Sequence, residues 1–209
     1  MLVGTPLDGG IIQDGRRLGK PELCLHTCGF SVNRLKWTTM SAFPADSFKD
    51  LTEANAEYVK SFKYSELTGI AQRGLAIVTC MDSRINPLSV IGMRSGDAKI
   101  LRNAGARVTE DVLRTLVLAT YLLGVKRILI MPHTDCRMAE NSEEEIHATI
   151  DEQFGVNTSS LEFRTTNDQL GALATDVNRV RSYPLLNKGV SVGGAIYDVK
   201  TGAITPVDC

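Results

Sequence analysis

The sequence predicts an α/β fold: a mainly parallel sheet flanked by helices, closed near the C-terminus by an antiparallel edge strand. Three observations carry that reading. Leu75-Ala76-Ile77-Val78-Thr79 and Ile128-Leu129-Ile130-Met131 are short apolar runs without polar alternation, as in strands buried on both faces. Helical periodicity fills the stretches between and after them. Strands that alternate with helices are joined by right-handed crossovers and so lie parallel.

The elements follow in order. Residues 1–44 carry Gly4, Gly9, Gly10, Gly15, Gly19 and Gly29 with three prolines and no sustained period, which predicts an irregular N-terminal arm. Residues 45–209 read as a single α/β domain. From Asp46, the apolar positions Phe48, Leu51, Ala54, Tyr58 and Phe62 recur at helical steps. Lys99-Ile100-Leu101-Arg102 is a weaker strand, ended by Asn103-Ala104-Gly105. Thr109 caps a helix whose first turn holds Glu110 and Asp111 against the positive helix end, and Gly124 stops it. Ser142 with Glu145 forms a capping box for a helix to about Phe154. Leu170, Leu173, Val177 and Val180 mark a further helix that stops before Pro184. Val190–Val192 and Ala195–Val199 read as strand, and Lys200-Thr201-Gly202 turns the chain into Ala203-Ile204-Thr205.

Composition excludes several functions. The chain has 209 residues, 23 Lys and Arg against 24 Asp and Glu, and a net charge of −1. Binding to nucleic acid through phosphate neutralisation needs a basic excess that is missing. No apolar run approaches the roughly 18 residues of a membrane span. The first residues lack a basic stretch followed by an apolar core, so no secretory signal is expected. Five cysteines, an odd number in a chain of this length, suit a reducing, cytoplasmic setting with thiols free or ligating metal.

Both buried strands run into reactive residues. The first leads to Cys80-Met81-Asp82-Ser83-Arg84, the second through Pro132 to His133-Thr134-Asp135-Cys136. In open parallel sheets, sites form beyond the carboxyl ends of the strands, so Cys80, His133 and Cys136 can converge. Two thiolates and an imidazole suit Zn²⁺, and three protein ligands leave the open fourth position of a catalytic zinc. Asp82 can take that position itself or accept a hydrogen bond from the nucleophile. Arg84 decides between these by holding Asp82 off the metal with a bidentate fork. Zinc lowers the pKa of bound water to about 7, so hydroxide is available near neutrality. Singly, Cys80 reads as a buried thiol and His133 as a core histidine; together, at adjacent strand ends beside an acid–arginine pair, they read as a metal site. Asp135 and Arg137 read as surface loop residues. His147, on a helix with Glu143, Glu144 and Glu145, is a weaker candidate for a proton shuttle.

Cys24-Leu25-His26-Thr27-Cys28 can be drawn as a second zinc clip but lacks a fourth ligand nearby. Cys209 reads as a free thiol. Phosphate-binding glycine loops, the zinc-deaminase pattern, the thiol-phosphatase spacing and the nucleophile elbow are all missing.

Cys80-x-Asp82-Ser83-Arg84, Arg102-Asn103-Ala104-Gly105 and His133-x-x-Cys136 resemble the β-class carbonic anhydrases in order and spacing, over about residues 46 to 207. The match includes Gly194–Gly202 near the end. The resemblance implies a four- to five-stranded, mainly parallel sheet and one zinc per chain held by Cys80, His133 and Cys136. It makes Asp82 and Arg84 the catalytic dyad. It further implies a homodimer or homotetramer whose N-terminal helices wrap the partner. Pro132 and Arg137 stand where the commoner pattern has glycines, and Gln72 lies near, but out of register with, a substrate-binding glutamine. These departures resemble a compact, minor branch that also contains carbonyl sulfide hydrolases. The expected reaction is attack of zinc hydroxide on CO2, giving bicarbonate. The alternative is hydrolysis of carbonyl sulfide to hydrogen sulfide and CO2 at the same site. Remoter rivals are a structural zinc module without catalysis and a metal-free thiol enzyme.

Overall fold

The computed structural model describes residues 43–209. Cys24, His26 and Cys28, and with them the expected second clip, lie outside the described residues. The chain divides into two units between Asn55 and Ala56. A single 3-10 turn at Ala45–Phe48 leads into helix α1 (Lys49–Lys60), which has no buried residue.

The remaining elements are β1 (Leu75–Cys80), α2 (Pro87–Val90), β2 (Ala98–Asn103), α3 (Glu110–Leu122), β3 (Arg127–Met131), α4 (Arg137–Glu140), α5 (Glu143–Phe154), α6 (Gln169–Arg181), β4 (Ser191–Tyr197) and β5 (Ile204–Val207). They build a five-stranded sheet in the order β2-β1-β3-β4-β5. β1 pairs parallel with β2 and β3, β3 parallel with β4, and β5 closes the edge antiparallel to β4. The sheet is thus mainly parallel with an antiparallel C-terminal edge, as the run of strand and helix signals predicts.

Register places the chemistry. Thr79 lies between Arg102 and Met131, and Cys80 opposite Asn103, so β1, β2 and β3 end at one level. The hydroxyl of buried Thr79 donates to the Met131 carbonyl at 2.7 Å and ties β1 to β3 at that level. The two runs lack alternation because both faces of the sheet are covered. Ala76, Val78, Ile128 and Ile130 pack with Leu113 and Leu116 of α3 and Val177 and Val180 of α6. Leu75, Ile77, Met131 and Tyr197 pack on the other face with Ile85, Met138 and the two site cysteines. Each fully buried Leu or Ile contributes about 1.5–3 kcal/mol.

The expected caps form: the Thr109 side chain accepts from Val112 N, and Ser142 with Glu145 makes the full capping box. The two expected C-terminal strand pieces are one strand, because Gly193-Gly194 continues it. A Cβ at Gly194 would come within 3.1 Å of Leu173 and of the Cys209 sulfur, so glycine serves close packing there, not a break. Leu170 departs from the expected helix face and lies 57% exposed. Among the described residues no helix is long and apolar enough to cross a membrane.

Candidate active site

The ends of β1 and β3 bring Cys80, His133 and Cys136 together, with their ligand atoms within 4.8 Å of one another. All three are buried, at 5%, 1% and 4% exposure. His133 Nδ1 lies 2.8 Å from the Thr134 carbonyl, which can only accept, so Nδ1 carries the proton and Nε2 keeps a free lone pair. That Nε2 is buried and, among the described residues, has no hydrogen-bond partner. A buried polar atom without a partner is costly. Here it faces two sulfurs, a donor set that fits a borderline dication such as zinc.

The sulfurs are prepared electrostatically. The Cys136 thiol donates to Cys80, which pulls the Cys80 pKa down against its burial, and the same contact pushes Cys136 up. A dication between the two sulfurs favours both thiolates. Backbone N–H groups of Gly105 and Asp82 favour the Cys80 thiolate, and those of Met138 and Ala139 at the start of α4 favour that of Cys136. Burial works against charge on His133, but the pull of the Cys80 sulfur and the Thr134 carbonyl outweighs it and its pKa is raised.

The Gly105 amide depends on a turn after β2. Asn103 clasps that turn: its Oδ1 accepts from Arg107 N at 2.8 Å and its Nδ2 donates to Arg107 O at 2.7 Å. Gly105 has φ +74°, and a Cβ there would lie 3.1 Å from Met138 Cβ. Behind the turn, Arg107 Nε donates to Asp176 Oδ2 at 2.7 Å, and Val108 N donates to the same oxygen at 3.2 Å. Asp176 is buried on the inner face of α6. Gln169, at the start of that helix, donates from Nε2 to the His133 carbonyl at 2.9 Å. Arg102 donates to the carbonyls of Cys80 (2.9 Å) and Asp82 (2.5 Å), pinning the first loop.

Asp82 Oδ2 stands 3.7 Å from His133 Nε2. Arg84 grips it side-on: Nε to Oδ1 at 3.0 Å and Nη2 to Oδ2 at 2.7 Å, with the Arg84 backbone N donating to Oδ1 at 2.9 Å. This pairing holds the Asp82 carboxyl well below the usual carboxylate range and raises Arg84 above its own. A cleft of about 670 Å³ opens over the dyad, lined by Met81, Asp82, Ser83, Arg84, Asp135 and Arg137 among others.

Asp135 lies exposed in the loop before Cys136, as expected, but its carboxylate also lies 2.6 Å from Arg84 Nη1. One expectation changes. Arg137 opens the short helix α4 instead of lying in a loop. His147 bonds Thr158 Oγ1 at 2.8 Å and packs on Phe163, so its partners belong to α5 and the loop after it and not to the dyad. Sequence reasoning placed Arg102 in a motif without giving it a role, and missed Gln169 and Asp176 as supports of the site. The only local signal was Asp176, an acid between the apolar positions Leu173 and Val177.

The carbonic anhydrase family profile matches residues 75–204, more than half of the chain. The chain belongs to the β-class carbonic anhydrase family. Beta-carbonic anhydrase 1 of Mycobacterium tuberculosis is 32% identical over 159 residues, covering 76% of this chain and 96% of that one. A carbon disulfide hydrolase of Saccharolobus solfataricus is 32% identical over 166 residues, covering 68% and 81%. The crystal structure of a carbonic anhydrase from Streptococcus mutans superposes with a TM-score of 0.72 at 34% identity, covering 80% of this chain and 99% of that one. This β-class chain is therefore a carbonic anhydrase-like lyase or hydrolase, and its Cys80–His133–Cys136 cluster brings together three side chains of the types that ligate a metal ion.

Proposed function

We propose that this β-class enzyme hydrates CO2 to bicarbonate, releasing one proton per turnover, with Cys80, His133 and Cys136 holding one zinc ion per chain. The carrying observation is the restrained Asp82 carboxylate beside an orphaned, buried His133 Nε2 and two sulfurs. Zinc, when bound, supplies a Lewis acid that makes water nucleophilic near neutral pH. Asp82 Oδ2 accepts a hydrogen bond from the attacking water and so aims its lone pair at the substrate carbon. With its pKa held low by Arg84, Asp82 orients that water and does not store its proton. Arg84 also keeps the carboxylate away from the metal charge, which would otherwise draw it in.

A second reading has a specific support, the similarity to carbon disulfide hydrolases. Carbonyl sulfide takes up one water to give CO2 and hydrogen sulfide. Carbon disulfide takes up two waters to give CO2 and two molecules of hydrogen sulfide. Both substrates are neutral, linear and nearly apolar, like CO2. Rates measured side by side on the zinc-loaded protein separate the cases. CO2 hydration should dominate. A faster, zinc-dependent release of hydrogen sulfide would establish the second reading, and no rate on any of the three would leave a structural zinc site.

We read the enzyme as a cytoplasmic homo-oligomer. Leu51, Tyr58, Val59 and Phe62 on and just after α1 are 49–62% exposed, an apolar face suited to a second copy of the chain. Light scattering should give at least twice 22.8 kDa. A fully active monomer would refute that role for α1.

A further inference from the structure

We infer that Asp135 is a positioning residue for the dyad: it anchors the far end of Arg84, so that Arg84 can hold Asp82 off the metal. This rests on the zinc reading above.

The guanidinium uses two separate forks. Its side-on edge, Nε and Nη2, takes Asp82. Its outer end takes Asp135 twice: Nη1 donates to the carboxylate at 2.6 Å, and Nη2 to the backbone carbonyl at 2.9 Å. Asp135 therefore does not compete with Asp82 for the same edge. It fixes the part of Arg84 that would otherwise swing, on a side chain that is 44% exposed. The bridge also joins the two loops that carry the ligands, since Asp82 follows Cys80 and Asp135 precedes Cys136. Offering both acceptors has a conformational cost: Asp135 sits at φ +56°, a left-handed conformation uncommon for residues other than glycine. Asn and Asp tolerate that region best, and glycine adopts it freely.

The two-fork arrangement fixes the sign of the effect. With the outer anchor gone, Arg84 wanders, Asp82 spends more time on the metal, and four protein ligands hold zinc more firmly than three. A residue that merely supported the loop would do the reverse, since loosening the loop speeds metal loss.

The test uses zinc-loaded wild type, Asp135→Gly and Asp135→Asn, with Arg84→Ala for reference. Glycine relieves the backbone and keeps the carbonyl acceptor, so it removes only the carboxylate. Two quantities are read: the rate at which a chelator strips zinc, and turnover. Asp135→Gly should lose zinc more slowly than wild type and turn over roughly tenfold more slowly, the scale of a small misplacement in an active site. It should share the direction of Arg84→Ala. Asp135→Asn, whose amide oxygen still accepts from Nη1, should fall between Asp135→Gly and wild type in both readouts. Faster zinc loss in Asp135→Gly, or wild-type behaviour in both readouts, would overturn the proposal. If wild type turns over none of the three substrates, the functional reading fails, while the zinc-release comparison still decides the role of Asp135.

Discussion

Asp176→Asn should be the most damaging single-atom-scale change outside the ligand set. Asp176 Oδ2 holds both Arg107 Nε, at 2.7 Å, and the Val108 backbone N, at 3.2 Å. The two side chains are 20% and 5% exposed, so removing the carboxylate leaves an arginine with little water to compensate. Breaking a buried ion pair from one side costs about 3–5 kcal/mol. The residual exposure of Arg107 argues for the lower end, about 3 kcal/mol. For a chain of this size, 1 kcal/mol moves Tm by about 2–4 °C, so the fall should be roughly 6–12 °C. The assay is thermal unfolding of wild type, Asp176→Asn, Arg107→Met and the double variant Arg107→Met/Asp176→Leu. The double variant buries no lone charge but still leaves the Val108 N–H without its acceptor, so it should recover only part of the loss. The turn carrying the Gly105 amide should also loosen, so Asp176→Asn should bind zinc more weakly than wild type in a competition titration. A fall under about 2 °C, less than 1 kcal/mol would give, or a double variant as unstable as the sum of both singles, would refute the reasoning.

Three further outcomes follow from the same geometry. Cys136→Ala should lose most of its zinc by elemental analysis, and full occupancy would remove Cys136 from the ligand set. Arg84→Ala should keep zinc and lose turnover, with partial rescue by Arg84→Lys, because an ammonium cannot fork onto both carboxylate oxygens; wild-type rates in a zinc-replete Arg84→Ala would exclude the dyad from the mechanism. Glu143 accepts from Phe163 N and Thr165 N at 2.9 and 3.0 Å, and these bonds outweigh its burial and lower its pKa. Its stabilisation is therefore full above its ordinary value of 4.5 and is lost as pH falls through the lower folded value. The Tm gap between metal-free wild type and Glu143→Gln should be largest near pH 7 and shrink below about pH 4; a gap that stays constant with pH would contradict the charge-assisted tie.

How much of the molecule was legible in its sequence depends on the range over which each residue's partners lie. Buried strands announce themselves because an apolar β-rich run has few other uses, and caps because Thr109 or Ser142 bonds an amide three residues on. The reactive residues were legible because chain order alone puts Cys80, His133 and Cys136 just past two such strands. The short helices α2 and α4 were not, since four residues hold too little periodicity to read.

What the sequence determined by itself was thus the α/β pattern, the strand ends and the donor types of a Cys-His-Cys cluster, all carried by local pattern and ligand chemistry. Only the tertiary structure decided what orients those donors. Arg84 and Asp135 lie 51 residues apart, and Arg107 and Asp176 lie 69 apart. No propensity or spacing encodes such pairs: the sequence shows Arg84 as the partner of Asp82 and not of Asp135, and it names no partner for Arg107 or Asp176. They become partners only when parallel register brings the strand ends to one level and α6 packs across the sheet. The supports of the site are long-range contacts, and they exist only once the chain has folded.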